Sequence, residues 1–156
     1  MSQSPVFPVE GGCSCGAVRY RLLADPLGLH VCHCTDCQTV SGSAFVMCMP
    51  VHAPSLELLS GDLVEVSFKT PDGLSKSERR CSNCGCRVWG EMDGVPEVLP
   101  LQAGTLDDTS WLQPVAHIWT SRAQPWIEIP PDVLVYEGQP EDGLELVRAW
   151  KRRNDT

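Results

Sequence analysis

Cys32-His33-Cys34-Thr35-Asp36-Cys37 sets three thiols within six residues, a CxC step joined to a CxxC step. Thiolates are soft metal ligands, and zinc takes four ligands in a tetrahedron. Three close thiols therefore hold an ion and leave one position to be filled. A zinc site with an open position does chemistry, and a closed site holds structure together. The other cysteines are also grouped: Cys13 and Cys15 form a CxC, Cys81, Cys84 and Cys86 form a CxxCxC, and only Cys48 stands alone among the nine.

Paired cysteines supply two ligands from one turn, so two pairs complete a site. Cys13 and Cys15 with Cys81 and Cys84 are such a set, tying the start of the chain to its middle. Cys32, Cys34 and Cys37 then remain as a second, three-ligand site. Spacing leaves Cys86 open: it could close the second site, exchange into the first, or bind nothing. Two closed sites would indicate a zinc-stabilised binding module. Easy oxidation of Cys84 and Cys86 would indicate a thiol redox or metal-buffering protein.

The elements that must position these residues follow from pattern. At 156 residues, with an ordinary hydrophobic fraction, the chain fits one domain over 1–156. Val18, Tyr20 and Leu22 alternate with Arg19 and Arg21, which predicts a half-buried strand. A short helix is expected over 36–41, with Thr35 and Gln38 as a capping box and Gly42 as its stop. Its N-terminus is expected to face Cys37. Ala44–Met49, Leu56–Leu58, Val64–Phe68, Ser77–Arg80, Val88–Glu91 and Val98–Leu101 read as strands, with Pro71-Asp72-Gly73 turning one hairpin. Ile118-Trp119, Trp126–Ile129 and Val133–Val135 read as late strands, and residues 1–10 as a loose lead-in. Asp142, Glu145 and the spacing of Leu144, Val147 and Trp150 predict a C-terminal helix. The class is mainly all-β.

Charge limits the partners. Twelve basic against twenty acidic residues give −8, which disfavours nucleic acid and anionic membranes. No run is long enough for a membrane helix, no signal peptide is read at the N-terminus, and a cytoplasmic location is expected. Nothing in the pattern fixes an oligomeric state.

Gly11-Gly12-Cys13-Ser14-Cys15-Gly16-Ala17-Val18-Arg19-Tyr20, Cys32 to Gln38 with Ser41-Gly42-Ser43-Ala44-Phe45, and Cys81-Ser82-Asn83-Cys84-Gly85 together resemble the glutathione-dependent formaldehyde-activating (GFA) family, which includes centromere protein V. Ala103–Asp108, His117-Ile118 and Pro125-Trp126 are similar to its later motifs. The resemblance runs from about residue 10 to 137, leaving 138–156 as a helical extension. It implies an Mss-four-like, β-tent-like fold of short antiparallel sheets and two zinc ions per chain. It places a structural zinc on Cys13, Cys15, Cys81 and Cys84, and a catalytic zinc on Cys32, Cys34 and Cys37. The implied activity is that of a carbon–sulfur lyase or synthase, joining glutathione or a similar thiol to formaldehyde or another small aldehyde. Two departures stand out: Cys86, where relatives carry a small or hydroxylated residue, and Thr120–Gln124, which lacks the family's usual lysine.

Outside the cysteines, His33 lies between two ligands, so its side chain is expected to point away from the metal into a packing or hydrogen-bonding role; proton handling is the alternative that keeps it a catalytic candidate. His117 reads as a hydrogen-bonded strand residue. Arg79, Arg80 and Arg122 are candidates for holding substrate carboxylates, with surface charge as the default. Asp107-Asp108 reads as a turn, the five tryptophans as core and Cys48 as a small buried hydrophobe.

Overall fold

The structure is a computed structural model that describes residues 5–69 and 73–153. The chain forms two compact units, one of residues 1–26 and 50–111, the other of residues 27–49 and 112–156. The mainly-β expectation holds. Among the described residues, eleven strands are accompanied by two α-helices and three short 3-10 turns.

In the first unit, β1 (Val9–Gly12), β2 (Arg19–Leu22) and β5 (Leu56–Ser60) form an antiparallel sheet in the order β1-β2-β5. Residues 9 and 10, expected in a loose lead-in, are paired with β2. The alternation read in β2 is observed: Tyr20 and Leu22 are fully buried and Arg19 and Arg21 half-buried. The arginines leave the sheet as ion pairs, Arg21 with Glu10 at 2.8 Å and Arg19 with Asp107. Tyr20 is held by a hydroxyl–hydroxyl bond to Thr105 at 2.8 Å. The antiparallel run β6 (Leu63–Lys69), β7 (Ser75–Cys81), β8 (Arg87–Met92) and β9 (Val98–Gln102) delivers Cys81 at the end of β7. The expected Pro71-Asp72-Gly73 turn falls partly outside the described residues. Val18, Tyr20, Leu22, Val51, Val88 and Leu101 form this unit's core, each fully buried.

In the second unit the strand order is β11 (Leu134–Val135), β10 (Ala116–Ile118), β3 (His30–Cys32) and β4 (Val46–His52), the last ending in the first unit. The pairings of β1 with β2, β2 with β5, β3 with β4 and along β6-β7-β8-β9 are antiparallel as expected, but β10 runs parallel to both β3 and β11. The chain comes back to this sheet after the whole of residues 50–111, so no tight hairpin forces an antiparallel return. Trp126–Ile129 is not a strand. Prolines 125, 130 and 131 bracket it, and β10 already has β3 and β11 on its two edges.

Between β3 and β4 lies α1 (Thr35–Ser41), ended by Gly42 in the left-handed conformation. The helix α2 (Gly143–Arg152) starts at Asp142, whose carboxylate accepts from the Leu144 N–H at 2.8 Å, and it buries Trp150 completely. Of the five tryptophans expected in the core, Trp111 and Trp150 are buried, but Trp126 is 69% exposed. Cys48 is half-buried. Among the described residues no helix is long and apolar enough to cross a membrane.

Candidate functional site

In the first unit Cys13, Cys15, Cys81 and Cys84 bring their sulfurs within 4.8 Å of one another. Each pair sits on a turn whose backbone is fixed before any ion is considered. Around Cys13, its N–H donates to the Val18 carbonyl at 3.1 Å and the Gly16 N–H to the Cys13 carbonyl at 3.0 Å. Gly16 closes that turn at φ +78°, a conformation that costs other residues about 1 kcal/mol or more. The Cys81 turn repeats the pattern: the Gly85 N–H donates to the Cys81 carbonyl at 2.9 Å, and Gly85 has φ +73°.

The same turns aim N–H groups at sulfur. Val18 N–H reaches Cys13 Sγ at 3.2 Å, and the Asn83 amide reaches Cys15 Sγ at 3.3 Å. Burial opposes ionisation of Cys13, but the Val18 N–H and the neighbouring thiols overcome it and bring Cys13 down to about 6. Backbone N–H groups of Cys86 and Cys15 likewise lower Cys84. Hydrogen bonds that favour thiolate are what a cation-binding set requires.

Cys86 has a role here that spacing alone did not reveal. It belongs to neither sulfur group. Its carbonyl accepts from the Cys81 N–H at 2.9 Å, its own N–H supports Cys84, and its thiol lies 3.6 Å from the Arg87 carbonyl. It supports the first centre through its backbone.

In the second unit Cys32, Cys34 and Cys37 also lie with their sulfurs within 4.8 Å. Cys32 ends β3 and is buried, while Cys34 and Cys37 are half-buried at the start of α1. The expected capping box is corrected. Cys34, not Thr35, is the N-cap, and its sulfur accepts from the Cys37 N–H at 3.3 Å. Thiol donors from Cys32 and then Cys37 push Cys34 down to about 2. The same bonds raise Cys32, to about 12, and raise Cys37 further. Mutual thiol hydrogen bonds thus favour the thiolate form at Cys34 over Cys32 and Cys37.

Gln38 does not cap the helix with its side chain, because that amide is occupied. Its Nε2 donates to the His33 carbonyl at 2.7 Å and to the Arg122 carbonyl at 2.9 Å, and its Oε1 accepts from Gln124 Nε2 at 2.8 Å. The sequence offered no signal for this bridge beyond the presence of an amide after Cys37.

His33 is fully buried, its ring stacked on His117 with centroids 5.1 Å apart and packed edge-on to Phe45. His33 Nε2 and His117 Nδ1 are 2.8 Å apart. His33 Nδ1 is buried without a partner. A bare lone pair there costs less than an unpaired N–H, so the proton belongs on Nε2 and His117 accepts it. Burial holds both rings below the usual histidine range, with the charge of His33 adding to the effect on His117. The pair is a neutral brace for the turn that carries Cys32 and Cys34.

The other residues singled out by sequence are mostly committed elsewhere. Arg79 pairs with Glu65 at 2.7 Å and Glu91 at 2.9 Å, and Arg80 with the buried Glu78 at 2.6 Å. Asp108 accepts from the Ser110 N–H, a turn as expected. Arg122 is exposed and, among the described residues, forms no ion pair.

Set beside known proteins, residues 8–122 match the profile described as glutathione-dependent formaldehyde-activating enzyme. The chain belongs to that family. A Halomonas elongata protein named for the same activity is 27% identical over 152 residues, spanning 93% of this chain and 95% of its own. A crystal structure of a Rhodobacter sphaeroides protein aligns with a TM-score of 0.49 at 21% identity, covering 63% of this chain and 87% of that one. Both sulfur clusters of this GFA-family chain lie inside the matched span.

Proposed function

We propose that this chain is a zinc-dependent carbon–sulfur lyase or synthase of the GFA type. It would join glutathione or a similar small thiol to formaldehyde or another small aldehyde, or run the reverse reaction. The observation that carries the reading is the asymmetry of the donor sets: four converging sulfurs in one unit and three in the other. Both sets fit zinc, being all-sulfur and preorganised by N–H donors to thiolate. Cys13, Cys15, Cys81 and Cys84 would hold a structural ion, and Cys32, Cys34 and Cys37 a catalytic one.

An ion on three thiolates supplies a Lewis-acid position at which a substrate thiol loses its proton near neutral pH. In the forward reaction the thiol sulfur bonds to the aldehyde carbon, the carbonyl π bond breaks, and the thiol proton ends on oxygen as a hydroxyl. The chain's part is placement. The Cys37 N–H donates to the Cys34 sulfur at 3.3 Å and fixes it at the start of α1. The His33–His117 brace holds the turn that bears Cys32 and Cys34. On this reading His33 acts as a positioning residue, the packing and hydrogen-bonding role expected of a side chain that points away from the metal, and not as the proton handler that was its alternative.

Thiols and formaldehyde combine without a catalyst, so the test is acceleration. Exchange NMR on glutathione with formaldehyde, at equilibrium, should show faster adduct exchange with the two-zinc protein than in buffer with free zinc. Equal rates in a protein verified to hold two zinc ions would overturn the reading.

A further inference from the structure

We propose that Arg122, held in place by Gln38, selects carboxylate-bearing thiols at the three-cysteine centre; this rests on the reaction proposed above. Outside α2 and the residues after it, the second unit contains a single Lys or Arg, and it is Arg122. The whole chain is at −8, and a metal-bearing thiolate triad adds negative charge. An anionic substrate is repelled from such a centre unless a fixed cation offsets the field.

Arg122 has a backbone tied to the cysteine motif and, among the described residues, a side chain without a carboxylate partner. Arg19, Arg21, Arg79, Arg80, Arg87 and Arg148 all have carboxylate partners. Arg122 has none among the described residues, and its side chain is exposed. Its backbone is nevertheless rigidly placed. One side-chain nitrogen of Gln38 bonds both the Arg122 carbonyl and the carbonyl of His33, inside the cysteine motif. On the far side, Thr120 and Ser121 are fastened to residues 136 and 137, the Trp119 N–H to the Gly138 carbonyl, and the Trp119 indole to Gln139. Trp119 itself holds φ +57°, a strained conformation for a bulky residue. Segment 119–124 is thus anchored along both flanks while its one cation stays unpaired. Gln124 is also bound to Gln38, and Trp126, two residues further on, is 69% exposed.

The test uses S-methylglutathione, which keeps the carboxylates and lacks the thiol, so that binding reports anion recognition apart from metal ligation or turnover. Tryptophan fluorescence of the zinc-loaded protein should titrate with S-methylglutathione and far less with its diester. Arg122→Gln should weaken S-methylglutathione binding about tenfold or more, and Arg122→Lys should restore part of it. Gln38→Leu, with Arg122 intact, should raise KM for glutathione more than it lowers kcat; circular dichroism checks that it folds. Arg122-dependent binding in a protein that forms no carbon–sulfur adduct would overturn the proposed reaction and support this inference. Equal affinity for acid and diester, or wild-type affinity in Arg122→Gln, overturns it.

Discussion

In the first unit the thiols come from two turns far apart in sequence, Cys13–Cys15 and Cys81–Cys84; in the second all three come from one hexapeptide. The first set could close around an ion and would then join β1 and β2 to the end of β7. On the proposed reading such an ion would substitute for core in sheets of short strands, since a metal bound only when folded adds its binding energy to stability. The second set crosslinks nothing distant. Its turn is braced by protein instead, through the His33–His117 stack and the Gln38 amide. On the proposed reading, a centre braced in this way would not need its ion to fold and could leave a ligand position for substrate.

The comparison breaks if the two centres respond alike to loss of a thiol. Cys81→Ser should have the largest effect. Losing a structural zinc removes on the order of 10 kcal/mol, as much as a domain usually has to lose. The expected outcome is a chain without cooperative thermal unfolding by circular dichroism. Cys34→Ser should instead keep a cooperative transition, bind one zinc per chain in place of two, and lose adduct exchange by about two to three orders of magnitude. If Cys34→Ser unfolds and Cys81→Ser does not, the structural and catalytic roles are reversed.

A third experiment probes the frame of the first unit without touching sulfur. Tyr20 is fully buried and bonded to Thr105, and burial pushes its hydroxyl up to about 12 from an ordinary 10. The folded state therefore keeps a proton that the unfolded chain releases. Stability from this group is complete below pH 10 and is lost as pH rises towards 12, by about 3 kcal/mol. Urea midpoints across that range should fall more steeply for the native protein than for Tyr20→Phe. Parallel curves would mean that the tyrosine is not sealed in this core.

The two sulfur clusters were legible in sequence because thiols in tight pairs are rare by chance, and the structure brings those pairs together. Alternation exposed β2, and the Asp142 and Gly42 signals marked the helix ends they were expected to mark. Three features were hidden for physical reasons. Cys34 outcompeted Thr35 as N-cap because its sulfur already lies beside the Cys37 N–H. Trp126–Ile129 has strand composition, but a strand needs a free edge, and pairing partners cannot be read locally. His33 and His117 are far apart in the chain, and only the parallel pairing of β3 with β10 brings their rings together.

The smallest expected effect is the sharpest test of the asymmetry. Cys86 was the one thiol able to close the second site by count alone. Its contributions to the first centre are a carbonyl and an N–H, which serine also provides, and its sulfur contacts the Arg87 carbonyl instead of either sulfur group. Cys86→Ser should therefore still bind two zinc ions and unfold within about 1 kcal/mol of the native protein. Its adduct exchange should persist, because the open position of the three-thiol centre does not depend on this side chain. If the variant binds one zinc, or if its second zinc becomes readily chelatable, Cys86 is a ligand. The vacancy on which the proposed reaction depends would then be closed.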